Sequence, residues 1–174
     1  MITNPIHLSK YNYPYDYGYI SYKLSGLFFN YWKQKEDIQA LRDAVFQLRE
    51  AEKIYTYALF PAFWAEIQGK LGQMLALLGN ITKSTEISEI AITAYQNRQK
   101  VISEKRFPLQ WGHLQESIGE IHYQLGQKGA GDSHFEEAME YFHDALYMYE
   151  NAQDTAGIKK VKNSINKCRQ HLRN

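Results

Sequence analysis

Over the body of this chain apolar residues recur with the period of a helix, about 3.6 residues, while Tyr11, Tyr13, Tyr15, Tyr17 and Tyr19 alternate across Pro14 as an extended arm would. Trp64, Gln68, Leu71, Leu75 and Leu78 fall at i, i+4, i+7, i+11 and i+14, which is one helical face. Ala138, Phe142, Ala145 and Tyr149 fall at i, i+4, i+7 and i+11, again one face. Pro61 and Pro108 stand just ahead of such stripes. Proline suits a first helical turn, because its missing N–H would have no partner there. Gly79 and Gly126 are expected to close these helices as C′ glycines with positive φ. Ser84, and Asp132 or Ser133, are expected to cap the helices that follow.

The stripes belong to a repeat. Pro61-x-x-Trp64-Ala65-x-x-Gln68-x-x-Leu71-Gly72, continuing to Leu78-Gly79, returns 47 residues later as Pro108-x-x-Trp111-Gly112-x-x-Gln115-x-x-Ile118-Gly119, continuing to Leu125-Gly126. Phe60 and Phe107 precede the two prolines. Carried backwards, the offset lands on Pro14, Tyr17, Gly18, Leu24 and Ser25, and it links Ala44, Ala91 and Ala138, then Leu48, Tyr95 and Phe142. Three units follow, 14–60, 61–107 and 108–154, each a helix pair. Ile158, Ile165 and Leu172 then continue the first-helix stripe into a terminal capping helix over 155–172, which would keep an open array soluble. The prediction is an all-α chain of seven helices without a sheet, a single domain over 14–174 behind an extended N-terminal arm over 1–13. Gly72 and Gly119 sit inside predicted helices, where glycine costs roughly 1 kcal/mol against alanine. Their recurrence with Ala91 and Ala138 predicts close approach of the paired helices.

Leu71, Gly72, Leu75, Ala91 and Tyr95, with Ile118, Gly119, Ala138, Phe142 and Ala145, give a pattern similar to the tetratricopeptide signature. Arg98 departs from it where a small residue is expected, and His122 where an aromatic is usual. Ala91 also comes about seven residues late for a 34-residue repeat. The Phe-Pro-x-x-Trp-Ala-x-x-Gln opening resembles a long-period bacterial variant of these repeats. The resemblance spans 14–154 and is weakest in the first unit. It implies a curved α-α array that holds a protein or peptide on a concave side lined by the first helix of each unit.

Carried over by position, that rule assigns Tyr19, Tyr22, Lys23, Gly26, Phe29 and Asn30 from the first unit to a peptide-binding groove. The second unit gives Glu66, Lys70, Gln73 and Leu77. The third gives His113, Glu116, Ser117, Glu120, Tyr123 and Gln124, and the cap Lys160, Asn163, Ser164, Lys167, Gln170 and His171. The groove so defined is aromatic at one end, acidic in the third unit and mildly basic at the cap. Aromatic anchors are common interface hot spots. The family's carboxylate-binding pairs of Lys and Asn are not reproduced; only Lys23, Lys70 and Asn163 resemble them.

Composition narrows the function classes. Among 174 residues the net charge is +1, so nothing in the balance calls for nucleic acid or an anionic membrane. The lone Cys168 has no disulfide partner and fits a reducing compartment. No secretory signal or membrane-spanning run is visible, so a cytoplasmic setting is expected unless another secretion signal is read. Tyr11, Tyr13, Tyr15, Tyr17 and Tyr19 read either as an adhesive arm for a partner or second copy, or as rings folded back over the first helix pair. Residues 132–154 carry acids without Lys or Arg and 155–174 the reverse, so α-helices of opposite sign are expected to satisfy each other. No phosphate loop or zinc spacing is present. Glu140-x-x-His143 lacks the second pair a di-iron bundle needs, and His113, Glu116 and Glu120 share a face that could hold a metal weakly. A protein- or peptide-binding adaptor without cofactor and without catalysis is the expected function. Binding of nucleic acid or an acidic partner through the basic cap, and an enzyme with a metal in the groove, are the alternatives.

Overall fold

The computed structural model describes residues 11–173, and within them the chain forms seven α-helices and no strand. They are α1 (Pro14–Lys35), α2 (Ile38–Ile54), α3 (Pro61–Ile81), α4 (Thr85–Gln99), α5 (Pro108–Gln127), α6 (Ser133–Asn151) and α7 (Thr155–His171). Consecutive helices pack as pairs, α1 with α2, α3 with α4 and α5 with α6, while α7 packs on α6. The α2–α3 and α4–α5 contacts join one pair to the next. No described helix is long and apolar enough to cross a membrane. Of the predicted arm, only Tyr11–Tyr13 fall among the described residues.

The 47-residue period is visible in the backbone itself. The residues ahead of the three prolines, Tyr13, Phe60 and Phe107, hold φ of −138°, −138° and −141° and ψ of 65°, 60° and 61°. A following proline pushes a residue out of the helical region, which places the start of each first helix. The second helices begin alike in the first two units. Glu36 and Lys83 take left-handed φ of 55° and 57°. Asp37 Oδ1 then accepts from Gln39 N at 2.9 Å, and Ser84 Oγ accepts from Ile87 N at 3.2 Å. The expected Ser84 cap is therefore present. The third unit turns differently, through Gly129 and Gly131 at φ 80° and 122°. Asp132 precedes α6 there but makes no side-chain cap.

Gly79 and Gly126 do not close their helices. Each lies inside the last turn, and the helices run on to Ile81 and Gln127. Their role is close approach: a Cβ at Gly79 would stand 2.9 Å from Ser88 N, and one at Gly126 2.8 Å from the Phe135 ring. Gly72 and Gly119 do the same mid-helix, facing the Tyr95 and Phe142 rings at 2.8 and 2.9 Å. A ring therefore fills each space, with the Ala138 carbonyl 3.2 Å from the Gly119 position.

The core divides in two. Leu41, Leu48, Ile67, Leu71, Met74, Ile118 and Leu125 join α2 through α5. Phe135, Phe142, Ala145, Tyr149, Val161, Ile165 and Cys168 join α6 to α7. Each fully buried large side chain contributes roughly 1.5–3 kcal/mol.

A buried amide ties each inter-pair junction. Gln68 Nε2 donates to Glu52 Oε1 at 2.5 Å while its Oε1 accepts from Asn97 Nδ2 at 3.2 Å. One repeat later, Gln115 Nε2 donates to Asp144 Oδ2 at 2.7 Å while its Oε1 accepts from Gln99. Glu52 and Gln99 are matched positions, as are Asn97 and Asp144. The same amide thus bridges the equivalent three helices, α2, α3 and α4 and then α4, α5 and α6, with its direction reversed. A carboxylate accepts only, so whichever partner is acidic fixes which end of the glutamine turns to it.

Candidate functional site

A groove of about 580 Å³ lies between α3 and α5, with Lys160 of α7 at its edge. Ala76, Leu77 and Ile121 form its apolar part, and Gln73, Asn80, Ser117, Glu120 and Gln124 supply hydrogen-bonding groups. Beside it, a 220 Å³ pocket shares Gln73, Tyr95 and Ser117 and adds Gly69, Arg98, Gln110, His113 and Leu114. Seven predicted groove residues, Gln73, Leu77, Glu116, Ser117, Glu120, Gln124 and Lys160, therefore line one cavity, and His113 lines the pocket beside it.

Electrostatics in the groove centre on Glu116. Its Oε1 pairs with Lys160 Nζ. Its Oε2 accepts from the Tyr149 hydroxyl at 2.5 Å. With that proton committed, His113 Nδ1, 2.7 Å from the same hydroxyl, must carry the hydrogen that Tyr149 accepts. Burial first, and Glu116 second, push the Tyr149 pKa far above the ordinary tyrosine value. The phenol stays protonated. His113 and Glu116 are thus engaged with Tyr149, and they do not gather with Glu120 into a metal-binding cluster.

The predicted residues of the first unit form a separate cluster. The Tyr22 hydroxyl donates to Glu66 Oε1, Lys70 Nζ lies 5.4 Å from the Tyr22 ring centre, and Lys23 Nζ lies 5.1 Å from that of Tyr19. Burial, then the Glu66 hydrogen bond, raises the Tyr22 pKa. Phe29 stacks on Trp32 at 5.4 Å and packs against the main core, so its ring is partly spent on the fold. Asn30 is exposed beside it, and Gly26 has open space around it. At the cap, Tyr123 and Phe135 surround His171, whose ring stacks on Phe135 at 4.6 Å. Asn163, Lys167 and Gln170 are exposed on α7 and line neither cavity, nor does the half-buried Ser164.

The remaining surface expectations resolve in part. Tyr15 meets Phe60 edge-on at 5.5 Å, and the Tyr17 hydroxyl reaches Glu50 at 3.2 Å, so these two rings of α1 turn onto the first pair. Tyr11, Tyr13 and Tyr19 remain exposed. Opposite charges meet between α6 and α7 at Glu150 and Lys162, 3.0 Å apart, whereas Lys160 pairs across to α5.

The predicted site missed Ala76, Asn80 and Ile121 on the first helices and Tyr95 and Arg98 on a second helix, Arg98 above all. Arg98 occupies the position of Ala51 and Ala145, and reaches the pocket because Gly69 stands opposite, where Tyr22 and Glu116 stand in the other units. The signal was a size exchange, large for small on one helix and small for large on its partner. No protein-family model matches the chain, and no curated protein sequence matches it.

Proposed function

We propose that the chain is a tetratricopeptide-like adaptor that holds an extended peptide segment of a partner protein along its first helices. The observation that carries this reading is the groove between α3 and α5, lined by apolar side chains together with amides, hydroxyls and the charged groups of Glu116, Glu120 and Lys160. An extended peptide would place an apolar side chain against Ala76, Leu77 and Ile121. Its backbone would exchange hydrogen bonds with Gln73, Asn80 and Gln124. Arg98, whose buried Nε has no hydrogen-bond partner, favours an acidic residue at the neighbouring pocket. A reducing, cytoplasmic setting belongs to the same reading. It is supported by Cys168 being the one cysteine of the sequence, with no partner for a disulfide.

Peptides selected on the purified protein from a displayed library test the reading. Gln73→Arg with Glu120→Arg, both at exposed groove positions, should weaken a selected peptide at least tenfold, about 1.4 kcal/mol. Thr93→Arg, exposed on α4, should leave binding alone. Equal affinity in the groove variant would remove the groove as the site.

A further inference from the structure

Away from the groove, the third helix pair carries three residues that break the repeat together. His122, His134 and Glu137 occupy the positions of Leu75, Ile87 and Ile90 in the second pair. Three hydrocarbon side chains, of which Leu75 and Ile87 belong to the main core and Ile90 is exposed, have become two imidazoles and a carboxylate. His122 is buried, at 8% exposure. Polar groups in such a place are unfavourable unless something satisfies them.

Their geometry shows what would. His122 Nδ1 lies 3.1 Å from His134 Nδ1, and Glu137 Oε2 lies 2.6 and 3.2 Å from the two nitrogens. Two nitrogens of the same kind point at one another with a carboxylate oxygen closing the triangle. Three lone-pair atoms around a tetrahedral zinc ion, each about 2.0–2.2 Å from it, stand about 3.3–3.6 Å apart. The 3.1 and 3.2 Å edges fall a little short of that, and the 2.6 Å edge opens with a small rotation of the exposed Glu137 side chain. Three rigid features hold the arrangement. His134 and Glu137 are one turn apart on α6, α5 supplies His122, and the Tyr141 ring stacks on His122 at 5.3 Å. Beside the triangle lies a cavity of about 520 Å³ lined by His122, Glu137, Glu140, Tyr141 and Asp144 among others, with room for a fourth ligand and carboxylates that attract a cation.

We propose that His122, His134 and Glu137 bind one divalent transition-metal ion of the zinc class, with water from the adjoining cavity as fourth ligand. Imidazole and carboxylate together suit zinc and its first-row neighbours rather than calcium or magnesium. The ion would clasp α5 to α6 next to the glycine turn at 129–131, where the side-chain cap found in the other two pairs is missing. None of the three ligands lines the groove or its neighbouring pocket, so the site stands independently of the peptide-binding reading.

The test uses the full chain without an affinity tag, stripped of metal and titrated with Zn²⁺ by calorimetry and with Co²⁺ by visible absorption. One equivalent of Zn²⁺ should bind and raise Tm, and Co²⁺ should give the intense visible bands of a four-coordinate site. His134→Gln and Glu137→Gln should lose both signals, while His143→Gln, at an exposed histidine of the same helix that does not line the cavity, should keep them. His122→Leu with His134→Ile and Glu137→Ile gives these positions the residues of the second pair. It should fold with full helicity and show no Tm response to Zn²⁺. Absence of a saturable equivalent in the parent protein, or equal binding in His134→Gln and Glu137→Gln, overturns the assignment.

Discussion

The same apolar stripe meets opposite fates at two ends of one surface. In α1, Ile20, Leu24, Leu27 and Tyr31 are exposed, at 41%, 36%, 65% and 50%. Their counterparts in α3, Ile67, Leu71, Met74 and Leu78, are at 0%, 0%, 1% and 5%. Those in α5, Leu114, Ile118, Ile121 and Leu125, are all buried too. The side-chain chemistry barely changes; the neighbour does. Helix α2 packs on α3 and α4 packs on α5, whereas no described helix precedes α1. Periodicity therefore marks the face a helix offers. The adjoining pair decides whether water leaves it.

The sharpest way to break this comparison is truncation at matched positions. Leu71→Ala should cost about 2–5 kcal/mol, because it removes buried methyl groups and leaves a cavity. Leu24→Ala should change stability by about 0.5 kcal/mol or less, as at most surface sites. Urea denaturation measures both. A comparable loss at Leu24 would mean that something covers α1 in solution, and a second copy of the chain would then show in light scattering.

A medium effect is expected at the buried amides. Ser21 stands in α1 where Gln68 and Gln115 stand in α3 and α5, so the first pair lacks the bridge and has no described preceding pair to join. Gln115→Leu strands Asp144 and Gln99 and should cost about 1–3 kcal/mol. A thermal melt of Gln115→Leu indistinguishable from the parent would show the bridge to be incidental. The smallest effect tests the glycines. Gly26→Ala, with nothing within 4 Å of the added carbon, should stabilise by up to about 1 kcal/mol through helix propensity. Gly72→Ala should destabilise, since its new carbon would press on the Tyr95 ring. A gain at both positions would contradict the close approach of α3 and α4.

The sequence alone carried the helices, their pairing and the place where each first helix begins, since stripes and prolines are local signals. It misplaced Gly79 and Gly126 because a glycine near a helix end reads the same whether it turns the chain or admits a neighbour's side chain. Only the positions of Ser88 and Phe135 tell the two apart. Gln68 and Gln115 stood out in the motif, yet their partners lie 16 and 29 residues away on other helices, beyond any local pattern. Of the candidate site, Gln73, Leu77, Glu116, Ser117, Glu120, Gln124 and Lys160 were legible by position, whereas Ala76, Asn80 and Ile121 were not. Arg98 and His122 were visible as departures from the repeat, but what each departure is for depends on Gly69, His134 and Glu137 across the packing.

The reversed glutamines also give the chain a reading order. Excising residues 61–107 would butt α2 directly onto α5 with every proline and stripe still in phase. Gln115 would then face Glu52 on one side and Asp144 on the other, and its carbonyl oxygen would be left against a carboxylate. Copying that same stretch in place instead sets a Gln68 between Gln99 and Asn97, two neutral amides that can each give or take a hydrogen. Lengthening the protein is chemically easy at this seam, and shortening it is not.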